Sequence, residues 1–134
     1  MVVIDCNVLA HLLIDGVETP RARALLEQDA DWHSDALVLV ELCNVLATAS
    51  RTRGLSATSA SAVLTQAQGV IDAGLHGAGH YETLDMAARH KVSAYDARYL
   101  VIARDLDSPL VTEDARLRAA APKLTRSLAA AVGY

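Results

Sequence analysis

Met1-Val2-Val3-Ile4-Asp5-Cys6-Asn7 is a short apolar run that ends abruptly at a carboxylate. A β-branched run without polar alternation suits a parallel strand buried on both faces. From Val8 to Ile14 the apolar residues fall in a helical rhythm closed by Asp15-Gly16, so the chain passes from strand to helix through Asp5. The same step recurs late in the chain. Pro109 to Val111 is predicted as a strand and Asp114 to Ala121 as a helix, which Pro122 stops.

Between these two units the pattern keeps alternating. Helices are predicted over Pro20 to Ala30, Asp35 to Arg53, Ser56 to Ala73, Thr83 to His90 and Ala94 to Leu106. Arg51, Arg53 and then Gly54 form a typical helix stop. Asp31 to Ser34 is a weak strand candidate, His80 to Glu82 a second, and the tail is expected to add a short strand and a last helical turn. Strands alternating with helices imply an α/β fold, with a central parallel sheet of four to five strands flanked by helices. Ligands of such sheets bind beyond the carboxyl ends of the strands, where strand order reverses. Asp5 and Asp114 stand at such ends.

With 134 residues the chain is one domain, residues 1 to 134, without repeats or a linker. At 52% hydrophobic residues and a mean hydropathy of +0.23, it collapses into a core rather than staying disordered. The longest apolar stretch, Leu37 to Ala49, is broken by Glu41 and Asn44 and is too short to span a membrane. The first residues lack the basic start of a secretory signal, and Asp5 interrupts their apolar run, so a cytoplasmic protein is expected. Two cysteines, Cys6 and Cys43, make neither a disulfide framework nor a metal knuckle. A net charge of -4 argues against holding nucleic acid by bulk positive charge, but not against binding phosphates through metal ions.

Two further acids lie on predicted helices. Glu41 shares a helix face with Leu37, Val38 and Val45, and Asp96 with Tyr99, Leu100 and Ala103. An acid on an apolar stripe is costly to bury unless it is paired, protonated or bound to a metal. Each acid also has a plainer reading. Asp5 and Asp114 suit helix N-caps, Ser93-Ala94-Tyr95-Asp96 resembles a capping box, and Glu41 fits a hydrogen-bonded or edge position. The set says more than its members. Four carboxylates at one point repel one another by several kcal/mol per pair at about 4 Å, and hard cations, Mg²⁺ or Mn²⁺, relieve that repulsion. Such a cation activates water for in-line displacement at phosphorus, so phosphodiester hydrolysis is the expected chemistry.

Val2-Val3-Ile4-Asp5-Cys6-Asn7 resembles the opening D-x-N/S motif of PIN-domain ribonucleases. Val40-Glu41-Leu42, Tyr95-Asp96-Ala97-Arg98-Tyr99-Leu100 and Leu110-Val111-Thr112-Glu113-Asp114-Ala115 match the family's other motifs in order and spacing. Within that family the chain is most similar to VapC-type toxins of bacterial toxin–antitoxin modules. The resemblance implies a Mg²⁺-dependent endoribonuclease (Mn²⁺ as substitute), a homodimer, and inhibition by a cognate antitoxin through which any DNA contact would run. Carried over by residue, Asp5, Glu41, Asp96 and Asp114 are catalytic and hold the metal, while Asn7 and Thr112 support them through hydrogen bonds. Glu113 is expected to point to solvent in the first helical turn.

Arg51, Arg53 and Arg98 are candidate RNA contacts that also read as ordinary solvated helix faces. Tyr95 and Tyr99 are stacking candidates for which core packing is the plainer expectation. Cys6 and Cys43 adjoin motif residues and are read as buried structural thiols. The five histidines show no metal spacing, and none is assigned a role. A receiver domain would need paired acids after the first strand, and a haloacid-dehalogenase-type phosphatase would need D-x-D where this chain has Asp5-Cys6-Asn7. The remaining alternative is a non-catalytic interaction module whose acidic pocket binds a basic segment of a partner.

Overall fold

Five short parallel strands carry the molecule: β1 (Val2–Ile4), β2 (Trp32–Asp35), β3 (Leu75–His76), β4 (Leu110–Val111) and β5 (Thr125–Arg126). This is a computed structural model, and it describes residues 1–134 throughout. The sheet order is β3-β2-β1-β4-β5. The chain therefore builds leftward from β1 through β2 to β3, then crosses to β4 on the other side of β1 and continues to β5. Strand order reverses between β1 and β4, and the crevice for a ligand is expected beyond their carboxyl ends.

Eight helices connect and flank the strands: α1 (Cys6–Leu13), α2 (Thr19–Gln28), α3 (Leu37–Arg53), α4 (Ala57–Ile71), α5 (His80–His90), α6 (Ala94–Asp105), α7 (Ala115–Ala120) and α8 (Leu128–Val132). Helix α6 packs on β1, β2 and β4 and pairs with α5, while α1 to α4 form a second group in which α1 touches α2, α3 and α4. Val3, Ile4, Leu110 and Val111 have no exposed surface, because parallel strands covered by helices are dry on both faces. They join Leu9, Leu42 and Leu100 in one core, each large side chain contributing about 1.5–3 kcal/mol by burial. No helix is long and apolar enough to cross a membrane.

Local sequence explains most boundaries. Pro20 sits in the first turn of α2, where its missing N–H costs nothing. Ser56, Ser93 and Ser127 cap α4, α6 and α8 through their hydroxyls. Gly54, at φ +68°, ends α3 in the left-handed region that glycine enters freely.

The structure differs from expectation around β2 and β3. The second strand runs to Asp35, and the long helix starts only at Leu37. The third strand is Leu75–His76, and the segment from His80 to Glu82, expected as a strand, is the first turn of α5. Two residues between a 3₁₀ turn and Gly77 carry no periodicity to read. The pairing depends instead on a close approach. A Cβ on Gly74 would lie 2.0 Å from the Trp32 carbonyl oxygen, so only glycine lets the backbone come so near β2. His33 Nδ1 and His76 Nε2, 2.8 Å apart, add a cross-strand hydrogen bond. The Asp31 carboxylate, 2.9 Å from His33 Nε2, accepts a hydrogen bond from the N–H there and leaves Nδ1 to accept one from His76.

Candidate metal centre

The register Ile4↔Val111 sets the next two residues, Asp5 and Thr112, side by side at the reversal of strand order. Asp5 is the N-cap of α1, and its Oδ1 accepts the Val8 N–H at 3.1 Å. Its Oδ2 accepts the Thr112 hydroxyl at 2.5 Å. Thr112 Oγ1 in turn accepts the Asp114 N–H at 3.1 Å. One buried hydroxyl thus bonds the Asp5 carboxylate and the Asp114 backbone N–H together. Asp114 caps α7, with Oδ1 accepting from Arg116 N (2.9 Å) and Leu117 N (3.2 Å).

The helix acids arrive from either side. Glu41 lies a little over one turn into α3, and its Oε1 accepts a hydrogen bond from the Tyr99 phenol. Asp96 lies in the first turn of α6, where its N–H donates to the Ser93 hydroxyl at 3.0 Å. The capping readings of Asp5, Asp114 and Ser93 are therefore correct, and they do not compete with the site reading. Asp5, Glu41, Asp96 and Asp114 all line one pocket of about 320 Å³, with Asn7 at its edge.

Electrostatics registers the crowding. Burial raises the Asp5 carboxyl to about 6; the bonds from Thr112 and Val8 oppose this, and the Asp96 and Glu41 carboxylates push it higher. Burial also raises Asp96, with Asp114 and Glu41 adding to the shift and Ser93 offsetting part of it. No basic side chain lines the pocket, so nothing in its lining offsets the negative charge.

The donor set is suited in kind to a cation. It consists of carboxylates, which prefer hard divalent cations. No three His, Cys, Asp or Glu side chains stand close enough together to form a ready cage. An open pocket suits a cation that keeps several waters and takes only one or two carboxylates, and it disfavours a closed structural zinc site. The carboxylates that such an ion would draw one or two ligands from are those of Asp5, Glu41, Asp96 and Asp114.

Several expectations change here. Glu113 does not point to solvent from a helical turn: Asp114 is the cap, Glu113 precedes it, and its Oε1 accepts the Leu128 N–H at 2.6 Å, anchoring the start of α8. Arg98 is committed to Asp35 (Nε to Oδ2, 2.9 Å) rather than offered to RNA. Arg51 and Arg53 end α3, ten and twelve residues beyond Glu41, hence about 15 and 18 Å along the axis, and neither lines the pocket. Tyr99 is core as expected, at 2% exposure, whereas Tyr95 is 66% exposed at the pocket's mouth beside Val40. Cys43 is exposed, contrary to expectation. Cys6 is buried, and burial, reinforced by Glu41 and Asp5, pushes its thiol up to about 12, so it stays protonated.

One residue of the site's framework, Asp35, was not singled out from the sequence, and the bond of Tyr99 to Glu41 was not foreseen. Asp35, with no exposed surface, accepts from Leu37 N (2.7 Å), Ala78 N (2.9 Å) and Arg98, tying β2 to α3, α5's leading loop and α6. Its position just before an apolar helix is a cap signal that was available. Tyr99 lies three residues after Asp96, a spacing that puts both on one helix face.

A model of the PIN domain, a fold that generally carries metal-dependent nucleases, matches residues 2–123. The crystal structure of PAE2754 from Pyrobaculum aerophilum is similar across 98% of this chain and 91% of that one, with a TM-score of 0.79. At 19% identity that likeness bears on the fold alone. No curated protein is similar enough in sequence to be matched with it. The match spans the strand that leads to Asp5, the helices of Glu41 and Asp96 and the turn of Asp114, and on that ground the chain belongs to the PIN-domain family.

Proposed function

We propose that the protein is a Mg²⁺-dependent endoribonuclease, a VapC-type toxin held in check by a cognate antitoxin. The observation that carries the nuclease reading is the convergence of Asp5, Glu41, Asp96 and Asp114 on one open pocket where strand order reverses. RNA as substrate, the antitoxin, the homodimer and a cytoplasmic setting rest on the four ordered motifs that resemble VapC-type toxins. Mn²⁺ is the expected substitute ion.

A divalent cation held by these carboxylates would supply an activated water and stabilise the negative charge on the phosphoryl oxygens. The chain's own part is orientation. Thr112 fixes Asp5 and the Asp114 backbone with one hydroxyl. Asn7 stands at the pocket edge, within reach of a substrate or water by hydrogen bond. The antitoxin is expected to bring an arginine into this pocket, whose charged side chains are all acidic, replacing the cation's charge.

The test is cleavage of total cellular RNA by purified, antitoxin-free protein, with Mg²⁺, with excess EDTA, and with Asp5→Ala as the contamination control. Discrete fragments that need both Mg²⁺ and Asp5 are expected. Cleavage that persists in Asp5→Ala removes the site assignment. No cleavage by folded, Mg²⁺-bound protein favours the interaction module instead.

Tyr95 supplies a second expectation. Its ring is exposed and lines the pocket, which supports its stacking on a base of the RNA, a contact worth about 1–3 kcal/mol. Tyr95→Ala is expected to raise KM for RNA about tenfold with kcat and melting temperature little changed, and Tyr95→Phe to behave like wild type. Equal KM values for the Ala and Phe variants would remove the stacking role.

A further inference from the structure

Tyr99 is buried, and its phenol has a single hydrogen-bond acceptor, Glu41 Oε1. The bond spans the pocket's two flanking helices, α3 and α6. Tyr99 and Asp96 stand three residues apart on α6, so one helix face delivers an acid to the pocket and, at the same time, the clamp for the acid opposite. Glu41 differs from Asp5 and Asp114 in this respect. Those two are held by backbone N–H groups at helix starts, and Asp5 also by Thr112. Glu41 sits within α3, its carboxylate on a longer, rotamer-rich stem, with the phenol as its hydrogen-bond donor.

We propose that Tyr99 is a positioning residue that holds Glu41 Oε1 so that Oε2 is turned to the cation in the pocket. The inference rests on the metal-dependent nuclease reading and extends it to a residue that would act on the cation through Glu41. A carboxylate has two oxygens, and fixing one with a donor orients the other and sets its approach to an ion. Hydrogen-bond partners behind metal ligands typically govern affinity by tenfold to a hundredfold. The phenol also brings rigidity. Its ring is packed in the core with the strands and α6, so the clamp's position is set by the fold rather than by solvent.

The experiment measures Mn²⁺ binding to the otherwise metal-free protein by electron paramagnetic resonance of the free ion. It compares wild type, Tyr99→Phe, Glu41→Gln and the double variant, each shown folded by circular dichroism at the temperature used. Tyr99→Phe keeps the ring and removes only the hydroxyl. The expected result is a Kd about tenfold weaker in Tyr99→Phe, a comparable or larger loss in Glu41→Gln, and no further loss in the double variant, because the hydroxyl acts only through Glu41. A merely structural tyrosine would lower the melting temperature and leave the Kd alone. Tyr99→Phe binding Mn²⁺ like wild type overturns the proposal, as do losses that multiply in the double variant. If wild type itself binds no Mn²⁺ while retaining its fold, the nuclease reading falls first and this inference with it, an outcome plainly different from the other two.

Discussion

Replacing Asp35 with alanine is expected to cost about 3–5 kcal/mol of stability, a fall of roughly 10–15 °C in melting temperature for a domain of this size. Asp35 has no exposed surface and accepts three hydrogen bonds, from Leu37 N, Ala78 N and Arg98. Removing the carboxylate leaves the largely buried Arg98 guanidinium without its counter-charge and two backbone N–H groups without acceptors. A buried group that loses its partner forfeits the full desolvation cost, and this asymmetry makes the loss large. Arg98 keeps 22% of its side-chain surface in water, which holds the figure at this range rather than above it. Asp35→Asn retains one acceptor oxygen and should lie between wild type and Asp35→Ala. Thermal unfolding followed by circular dichroism checks both, and an Asp35→Ala protein melting within about 1 kcal/mol of wild type would show that the hub is dispensable.

The second large effect is a pH dependence carried by Asp5. Its carboxyl titrates near 6 in the fold against 3.8 for the ordinary group. The sign follows from linkage. The folded state binds this proton more tightly than the unfolded state does, so the contribution is fully present below about pH 4 and is lost as pH rises through 6. Each tenfold change in proton affinity is worth about 1.4 kcal/mol, which makes the whole span about 3 kcal/mol. Other acids and the histidines also titrate over this range, so the quantity to measure is the difference between wild type and Asp5→Asn. Without metal, the variant is expected to gain on wild type by up to about 3 kcal/mol between pH 4 and pH 7. The gain at pH 7 is trimmed because an amide nitrogen replaces an oxygen facing the Thr112 hydroxyl. Divalent cation should stabilise wild type at pH 7 and do little for Asp5→Asn. Denaturant unfolding at the two pH values, with and without Mg²⁺, decides it. A difference that stays flat with pH would mean that the Asp5 carboxylate is not crowded.

The amino-acid pattern carried the α/β class and the four acids, for identifiable reasons. Val2-Val3-Ile4 and Leu110-Val111 are strands that end at a polar residue, so where they stop is visible. Glu41 and Asp96 sit on apolar helix faces, where an acid is conspicuous. What could not be read were contacts across long separations. The two-residue strand Leu75–His76 is set by how near Gly74 comes to Trp32, and no local pattern records that. Glu113 looked solvent-facing because its partner, the Leu128 N–H, lies 15 residues away on another element. Arg98 looked available for the same reason, since Asp35 is 63 residues distant in sequence. Tyr95 and Tyr99 lie on one helix four residues apart, yet one faces solvent and the other the core; only the packing of α6 on the sheet separates them.

Two of the four acids double as helix caps and two do not. Asp5 and Asp114 each cap a helix as well as line the pocket, and losing a cap costs about 1 kcal/mol whatever the chemistry. Glu41 and Asp96 cap nothing. A descendant of this chain that no longer needed its activity would go on keeping a cap at both strand ends, but Asn caps a helix as well as Asp does, so the buried Asp5 could pass to the amide. Among homologues, a capping residue at the strand ends therefore reports an intact fold, and an acid rather than an amide at these four positions is where inheritance of the activity should be read.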